Sequence, residues 1–264
     1  MHAFFEHHQA ILYTFLVIMG FLAGFVDAVA GGGGLISLPA LTFTGMPISM
    51  VLGTNKLQSS IGTSMAVFKY YKDGLINFKT VSRGLVMGFI GACLGAVTAN
   101  YVSNDFMRYL VPVLMLGVFV FNLINPKLGV HEGRKRMGEL TFFSIFGFML
   151  GFYDAFFGPG VGNFWIMAIV FFLGYTFLNA SGYAKVLNLK SNIFSLIIFL
   201  WFGKVNILIG LVMACGQFVG GYTGAKMVIL KGSKLVRPFF MTIILINIVV
   251  LFYQLIFSGA TALG

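Results

Sequence analysis

Apolar runs, broken by short polar or glycine-rich stretches, follow one another along the whole chain. Ten segments stand out, at roughly residues 11–30, 35–46, 53–71, 80–100, 107–125, 139–157, 161–177, 184–202, 206–228 and 236–258. A full bilayer crossing needs about 20 apolar residues at a helical rise of about 1.5 Å each. By that measure the second segment is short and the seventh marginal. The pattern predicts an all-α polytopic membrane protein of about ten helices, with eight to ten crossings.

Composition agrees. Of the 264 residues 59% are hydrophobic and only 9% are charged, against about 25% charged in a typical soluble domain. Seven carboxylates and seventeen Lys/Arg cannot cover such a surface with polar groups, so lipid must be the solvent for most of it. This excludes an ordinary cytosolic enzyme, a nucleic-acid module and a disordered chain. The net charge of +10 does not form a basic face. It gathers in three loops: Lys69, Lys72, Lys79 and Arg83; Lys127, Arg134, Lys135 and Arg136; Lys226, Lys231, Lys234 and Arg237. The positive-inside rule places all three in the cytoplasm. An even number of crossings must separate the second cluster from the third, which predicts that segment seven spans. With a spanning second segment both termini lie outside; with a re-entrant one the N-terminus moves inside. Met1 to Gln9 carries no Lys or Arg, so no cleavable signal peptide is expected.

The chain repeats itself. Gly24-Phe25-Val26-Asp27-Ala28 returns as Gly151-Phe152-Tyr153-Asp154-Ala155, each followed by a glycine-rich break, Gly31 to Gly34 and Gly158 to Gly162. Gly74-Leu75-Ile76-Asn77 resembles Gly203-Lys204-Val205-Asn206, and Gly84-Leu85-Val86-Met87 recurs unchanged from Gly210. The offset stays between 126 and 129 residues. Five segments per half, an odd number, invert the second half relative to the first. The expected organisation is a first membrane repeat at 1–126, a basic cytoplasmic linker at 127–138 and an inverted repeat at 139–264, forming one membrane domain. Inverted repeats with glycine-interrupted helices are a signature of secondary transporters, whose substrate site lies near the midplane.

Two features could carry chemistry. The breaks free backbone N–H groups that can face an anion, which makes Gly32 and Gly33 candidate binding positions; a tight hairpin packed between helices explains them equally well. No Gly-Lys-Ser/Thr follows, so a phosphate-binding P-loop is not indicated. The second feature is the polar stripe that opens segment three, with Asn55, Lys56, Ser59 and Thr63 near one helical face. At the repeat offset Lys56 aligns with Lys185, Ser59 with Asn188 and Thr63 with Asn192. Two lysines on inverted helices can flank one cavity and hold an anion, with Asn55, Ser59, Asn188 and Asn192 replacing its water. The competing reading is that each lysine snorkels to the interface. Asp27 and Asp154 form a second duplicated pair, as proton-coupling groups or as caps of the breaks.

Other candidates carry less. Cys93 and Cys215 lie in apolar segments without metal-ligand spacing. The histidines, His2, His7, His8 and His131, fall outside the predicted spans, which leaves no metal site and argues against an enzyme. Glycines at four-residue spacing, such as Gly216, Gly220 and Gly224, are expected to let helices pack closely.

The stretch from Phe21 to Leu41, with Asp27 and the four glycines, followed by Leu52-Gly53-Thr54-Asn55-Lys56-Leu57-Gln58-Ser59, resembles the TauE/SafE family of sulfite and organosulfur-anion exporters. Ala184-Lys185-Val186-Leu187-Asn188 fits that family's later motif. The likeness covers nearly the whole chain and is closest to the bacterial YfcA-like branch; Pro159 and Asn163 depart from the usual second break. It implies a multi-pass permease of the bacterial inner membrane whose transported anion is often unassigned; sulfite, sulfonates and related sulfur compounds are the leading class, and the inverted repeats predict alternating access. No cofactor, metal or nucleic acid is expected; the partners are the anion and membrane lipid, and a homodimer is compatible with the sequence. The rival readings are an anion channel and, further off, a membrane-embedded enzyme.

Overall fold

A computed structural model describes residues 9–82, 85–99, 101, 113, 116, 117, 119–121, 123, 124, 129–158 and 160–260. Among them there is no strand. The helices are α1 (Gln9–Ala30), α2 (Gly34–Thr42), α3 (Ile48–Lys72), α4 (Phe78–Ser82), α5 (Leu85–Thr98), α6 (Glu139–Phe156), α7 (Val161–Ala168), α8 (Phe177–Trp201) and α9 (Ile207–Ala260). A π-helical turn, Ile169–Leu173, continues α7. Most of the fifth apolar segment, 107–125, and Gly84 lie outside the described residues.

α1, α6, α8 and the Ile207–Ser233 part of α9 are each long and apolar enough to cross a bilayer. The exposed surface is rich in large apolar side chains, among them Val86, Ile197, Trp201, Leu208 and Leu230. Together these make the chain an all-α polytopic membrane protein. α3 is as long as α8 but far more polar, and its polar residues Thr54, Asn55, Lys56, Gln58 and Thr63 are buried inside the bundle. Segments nine and ten were expected as separate helices. They are two helices within α9, divided at Gly232, whose φ of 69° and ψ of 176° are non-helical. One glycine suffices to redirect the chain there.

The two glycine-rich breaks turn the chain back on itself. From the basic linker α6 leads inward, and α7 returns to where α6 began: the Gly133 N–H donates to the Gly174 carbonyl at 2.7 Å and the Arg136 N–H to the Phe172 carbonyl at 2.8 Å. The 8 residues of α7 and 5 of the π turn reach only about 20 Å, short of a hydrocarbon core of about 30 Å. The expectation that segment seven spans is therefore corrected, while the parity argument survives. A hairpin also returns the chain to its starting side, just as two crossings do. α8 then leaves this end and α9 comes back to it, where the Leu178 N–H donates to Ser233 Oγ at 3.1 Å.

α1 and α2 form a second hairpin. The rings of Phe15, early in α1, and Phe43, just past α2, lie 5.9 Å apart, and Leu16, Leu41, Val51 and Met213 share one apolar cluster. This hairpin opens at the end where α3 and α9 start, opposite to the α6–α7 hairpin. α3 and α8 are antiparallel and their ends meet reciprocally. The Asn206 N–H donates to Thr54 Oγ1 at 2.9 Å, and the Asn77 N–H to the Tyr183 hydroxyl at 3.3 Å. Lys72, Arg134 and Lys231 consequently gather at one end of the bundle, and Lys204 sits at the other.

Glycine stripes make this packing close. A Cβ on Gly216, Gly220 or Gly224 of α9 would come within 1.9, 2.1 and 2.6 Å of the backbone carbonyls of Val17, Phe21 and Phe25 in α1. Gly91 and Gly95 of α5 approach α6 in the same way. Lipid tails are as apolar as leucine, so such backbone approach supplies the contact energy that burial supplies in water.

Candidate functional site: crossed ion pairs at the two breaks

The breaks meet. A Cβ on Gly31 would lie 2.3 Å from the Gly162 backbone, and a Cβ on Gly162 would lie 2.3 Å from Gly31 Cα. Gly31 also has a φ of 82°, which favours a residue without a side chain. Around this contact α1, α3, α6 and α8 enclose a cavity of about 20 Å³ lined by Asp27, Gly31, Gly34, Asn55, Lys56, Ser59, Asp154, Gly158, Val161, Asn188 and Asn192. That is room for roughly one water and too little for an oxyanion of sulfur.

Four charges surround the cavity, and they are paired crosswise. Lys56 from α3 reaches Asp154 at the end of α6, with Nζ 2.8 Å from Oδ1 and 2.6 Å from the Asp154 carbonyl oxygen. Its third bond goes to Asn192 Oδ1 at 3.1 Å. Lys185 from α8 lies against Asp27 at the end of α1, with Nζ 2.8 Å from Oδ2. That contact is ionic by distance, but it lacks the angle of a hydrogen bond. Lys56, Lys185, Asp154 and Asp27 are 2%, 0%, 2% and 7% exposed, so none of them snorkels. A lysine from either half is neutralised by a carboxylate from the other. Lone ammonium groups facing each other would be expensive in this environment, which is why the pairs form.

Amides and hydroxyls fill the space between. Ser37 Oγ and Gln58 Nε2 both donate to Asn55 Oδ1, at 2.6 and 2.7 Å. Asn192 Nδ2 donates to Asn188 Oδ1 at 3.0 Å. Ser191 Oγ donates to Asp154 Oδ2.

Asn55, Lys56, Ser59, Asn188, Asn192, Asp27 and Asp154 are thereby brought to one cavity. Lys185 stands behind Asp27 and is not among the lining residues. Of the first break, Gly31 and Gly34 line the cavity, whereas Gly32 and Gly33 do not. Gly33 packs on Asp27, where an added Cβ would sit 2.6 Å from the Asp27 Cβ. Among the described residues no backbone N–H donates to either carboxylate, and the turn at Gly31 is closed by its own N–H donating to the Asp27 carbonyl at 2.7 Å. Sequence reading passed over Ser191, Ser37 and Gln58 as site residues. Ser191 aligns with Gly62 at the repeat offset, so a search for duplicated polar residues has no signal for it.

Known proteins resemble this chain along most of its length. Residues 16–251 match the family model described as Sulfite exporter TauE/SafE. The probable membrane transporter protein YfcA of Escherichia coli strain K12 is 39% identical over 228 residues, covering 86% of this chain and 85% of that protein. A probable membrane transporter protein of Haemophilus influenzae is 40% identical over 227 residues, covering 86% and 89%. The probable membrane transporter protein YunE of Bacillus subtilis is 26% identical over 277 residues, covering 94% and 98%. No solved structure matches. A polytopic bundle with duplicated Asp and Lys motifs, matched along most of its length by this family model and by proteins named as membrane transporters, belongs to the TauE/SafE family.

Proposed function

We propose that the chain is a secondary transporter of the bacterial inner membrane for a small anion, with sulfite, sulfonates and related organosulfur compounds as the leading class. The observation that carries this reading is the crossed arrangement of Lys56–Asp154 and Lys185–Asp27 at the contact between the breaks. Each pair joins the first half of the chain to the second. Opening the breaks on either side separates a lysine from its carboxylate and frees a cation for an anion. Asn55, Ser59, Asn188 and Asn192 then supply the hydrogen bonds that the anion loses with its water. The two halves, 1–126 and 139–264, act as inverted repeats that rock about this site, a reading supported by hairpins that open at opposite ends and by the reciprocal α3–α8 contacts. The basic end, with the 127–138 linker, faces the cytoplasm. The family model's description is the support for the sulfur-anion class.

The test is sulfite binding and counterflow with purified protein in proteoliposomes, for wild type, Lys56→Gln and Lys185→Gln. A charge-assisted hydrogen bond is worth about 1.5–3 kcal/mol, so each variant is expected to weaken binding by about ten- to a hundred-fold or more. Unchanged affinity in both variants would place the anion elsewhere.

A further inference from the structure

The two ion pairs come from duplicated residues, yet they are not equivalent. Asp154 has both carboxylate oxygens engaged, Oδ1 by Lys56 and Oδ2 by the Ser191 hydroxyl, and Lys56 is itself held by the Asp154 carbonyl and by Asn192. Asp27 has only the misaligned contact with Lys185; among the described residues no hydroxyl or amide side chain donates to its carboxylate. The sequence explains the difference. At the repeat offset Ser191 corresponds to Gly62, which cannot donate, and Asn192 to Thr63, whose buried hydroxyl has no partner. One pair is a fully bonded strap and the other a loose contact between buried charges.

We infer that Asp27 is the proton-binding group of this transporter and takes up one proton each time an anion draws Lys185 away from it; this rests on the anion reading above. The site as it stands is neutral, with two ammonium groups and two carboxylates. An anion entering alone makes it negative and strands the Asp27 carboxylate in a buried place with no other side-chain donor among the described residues. The charged and titratable groups that face Asp27 are Lys185 from α8, Tyr70 of α3, whose hydroxyl donates to the neighbouring Ala28 carbonyl, and Lys56 and Asp154 across the cavity. Lys56 is committed to Asp154, and Tyr70 to the backbone, so none of them replaces Lys185. A proton does so at no cost in net charge: Lys185 ammonium pairs with the anion, Asp27 becomes a neutral acid, and the site returns to zero. Asp154 keeps the Ser191 hydroxyl and Lys56, and holds the bundle together instead.

Infrared difference spectroscopy of the purified full-length protein tests this without any substrate, by following the C=O stretch of protonated carboxyls during acid titration. Of the two buried site carboxyls, the component that protonates first on acidification is expected to vanish in Asp27→Asn and to remain in Asp154→Asn. Lys185→Gln is expected to raise the midpoint of that component by about one pH unit or more, because the neighbouring cation is gone. The proposal is overturned if Asp27→Asn titrates like wild type, or if Asp154→Asn removes the component. Should Asp27→Asn fail to fold, Lys185→Gln decides, and an unmoved midpoint refutes the assignment. A second arm adds methanesulfonate, a monoanion across the whole titration, in weak buffer: wild type takes up about one proton per bound anion and Asp27→Asn takes up none. Methanesulfonate that binds without proton uptake in wild type also overturns the proposal. Methanesulfonate that does not bind counts against the substrate class alone, and the substrate-free titration then decides the proton site.

Discussion

At the scale of single residues, the buried lysines owe their place to their partners. Lys56→Gln leaves the Asp154 carboxylate buried with Ser191 as its remaining donor. Breaking a buried ion pair from one side typically costs about 3–5 kcal/mol, whereas replacing both members by neutral groups of similar shape is often close to neutral. Lys56→Gln and Asp154→Asn are each expected to lower the thermal unfolding temperature in detergent, and the double variant to recover most of the loss. A double variant as unstable as the sum of the singles would show that the two residues do not act as a pair. Lys204→Gln is the control: that side chain is exposed at the turn after α8, and its loss is expected to leave stability and sulfite affinity unchanged.

At the scale of elements, the glycine-rich breaks decide what the helices can do. Gly31 and Gly162 are in van der Waals contact through their backbones, so a methyl on either must push the two breaks apart. Gly162→Ala is the cleaner probe, since Gly162 does not share the positive φ of Gly31. It is expected to reduce sulfite counterflow strongly at normal expression. Gly182→Ala, whose added Cβ would meet Ile76 Cγ1 at 3.3 Å, is expected to be mild. Equal loss in the two would deny the contact between breaks any special role. The apolar pattern marked these elements well where a helix ran long. It overestimated α7 and left α2 undecided, because apolar composition alone does not distinguish a segment that crosses from one that turns back after a break. The hydrogen bonds from Gly133 to Gly174 and from Arg136 to Phe172 make that distinction for α7.

At the scale of the whole molecule, the topology is open to direct test. Single cysteines at Lys72, Arg134 and Lys231, in a background lacking Cys93 and Cys215, are expected to be labelled from the cytoplasmic side. A cysteine at Lys204 is expected to react from the opposite side. Labelling of position 134 together with position 204 would overturn both the charge argument and the hairpin geometry. The same geometry explains why charge parity holds even though α7 is too short to span. A hairpin and a pair of crossings both return the chain to its starting side, and loop charges report only the side.

Several properties are written in local sequence. Membrane residence follows from 59% hydrophobic residues, because no other solvent suits that surface. The polar stripe on α3 and its partner on α8 are legible because a helix brings positions three and four apart onto one face. Duplication pointed to Asp27, Lys56, Asp154 and Lys185 as a set. Which carboxylate meets which lysine is a matter of distance between helices far apart in the chain, and no periodicity encodes it. Lys56 finds Asp154 and not Asp27 because α3 and α8 are antiparallel and the breaks touch at Gly31 and Gly162. The difference between a bonded strap and a loose pair arises in the same way: Ser191 matters only because folding sets its hydroxyl against Asp154, while the equivalent place in the other half holds Gly62. Local sequence determines solvent, helices and the polar inventory through short-range periodicity, and tertiary packing alone decides the pairing, since burial makes each charge take a partner within reach.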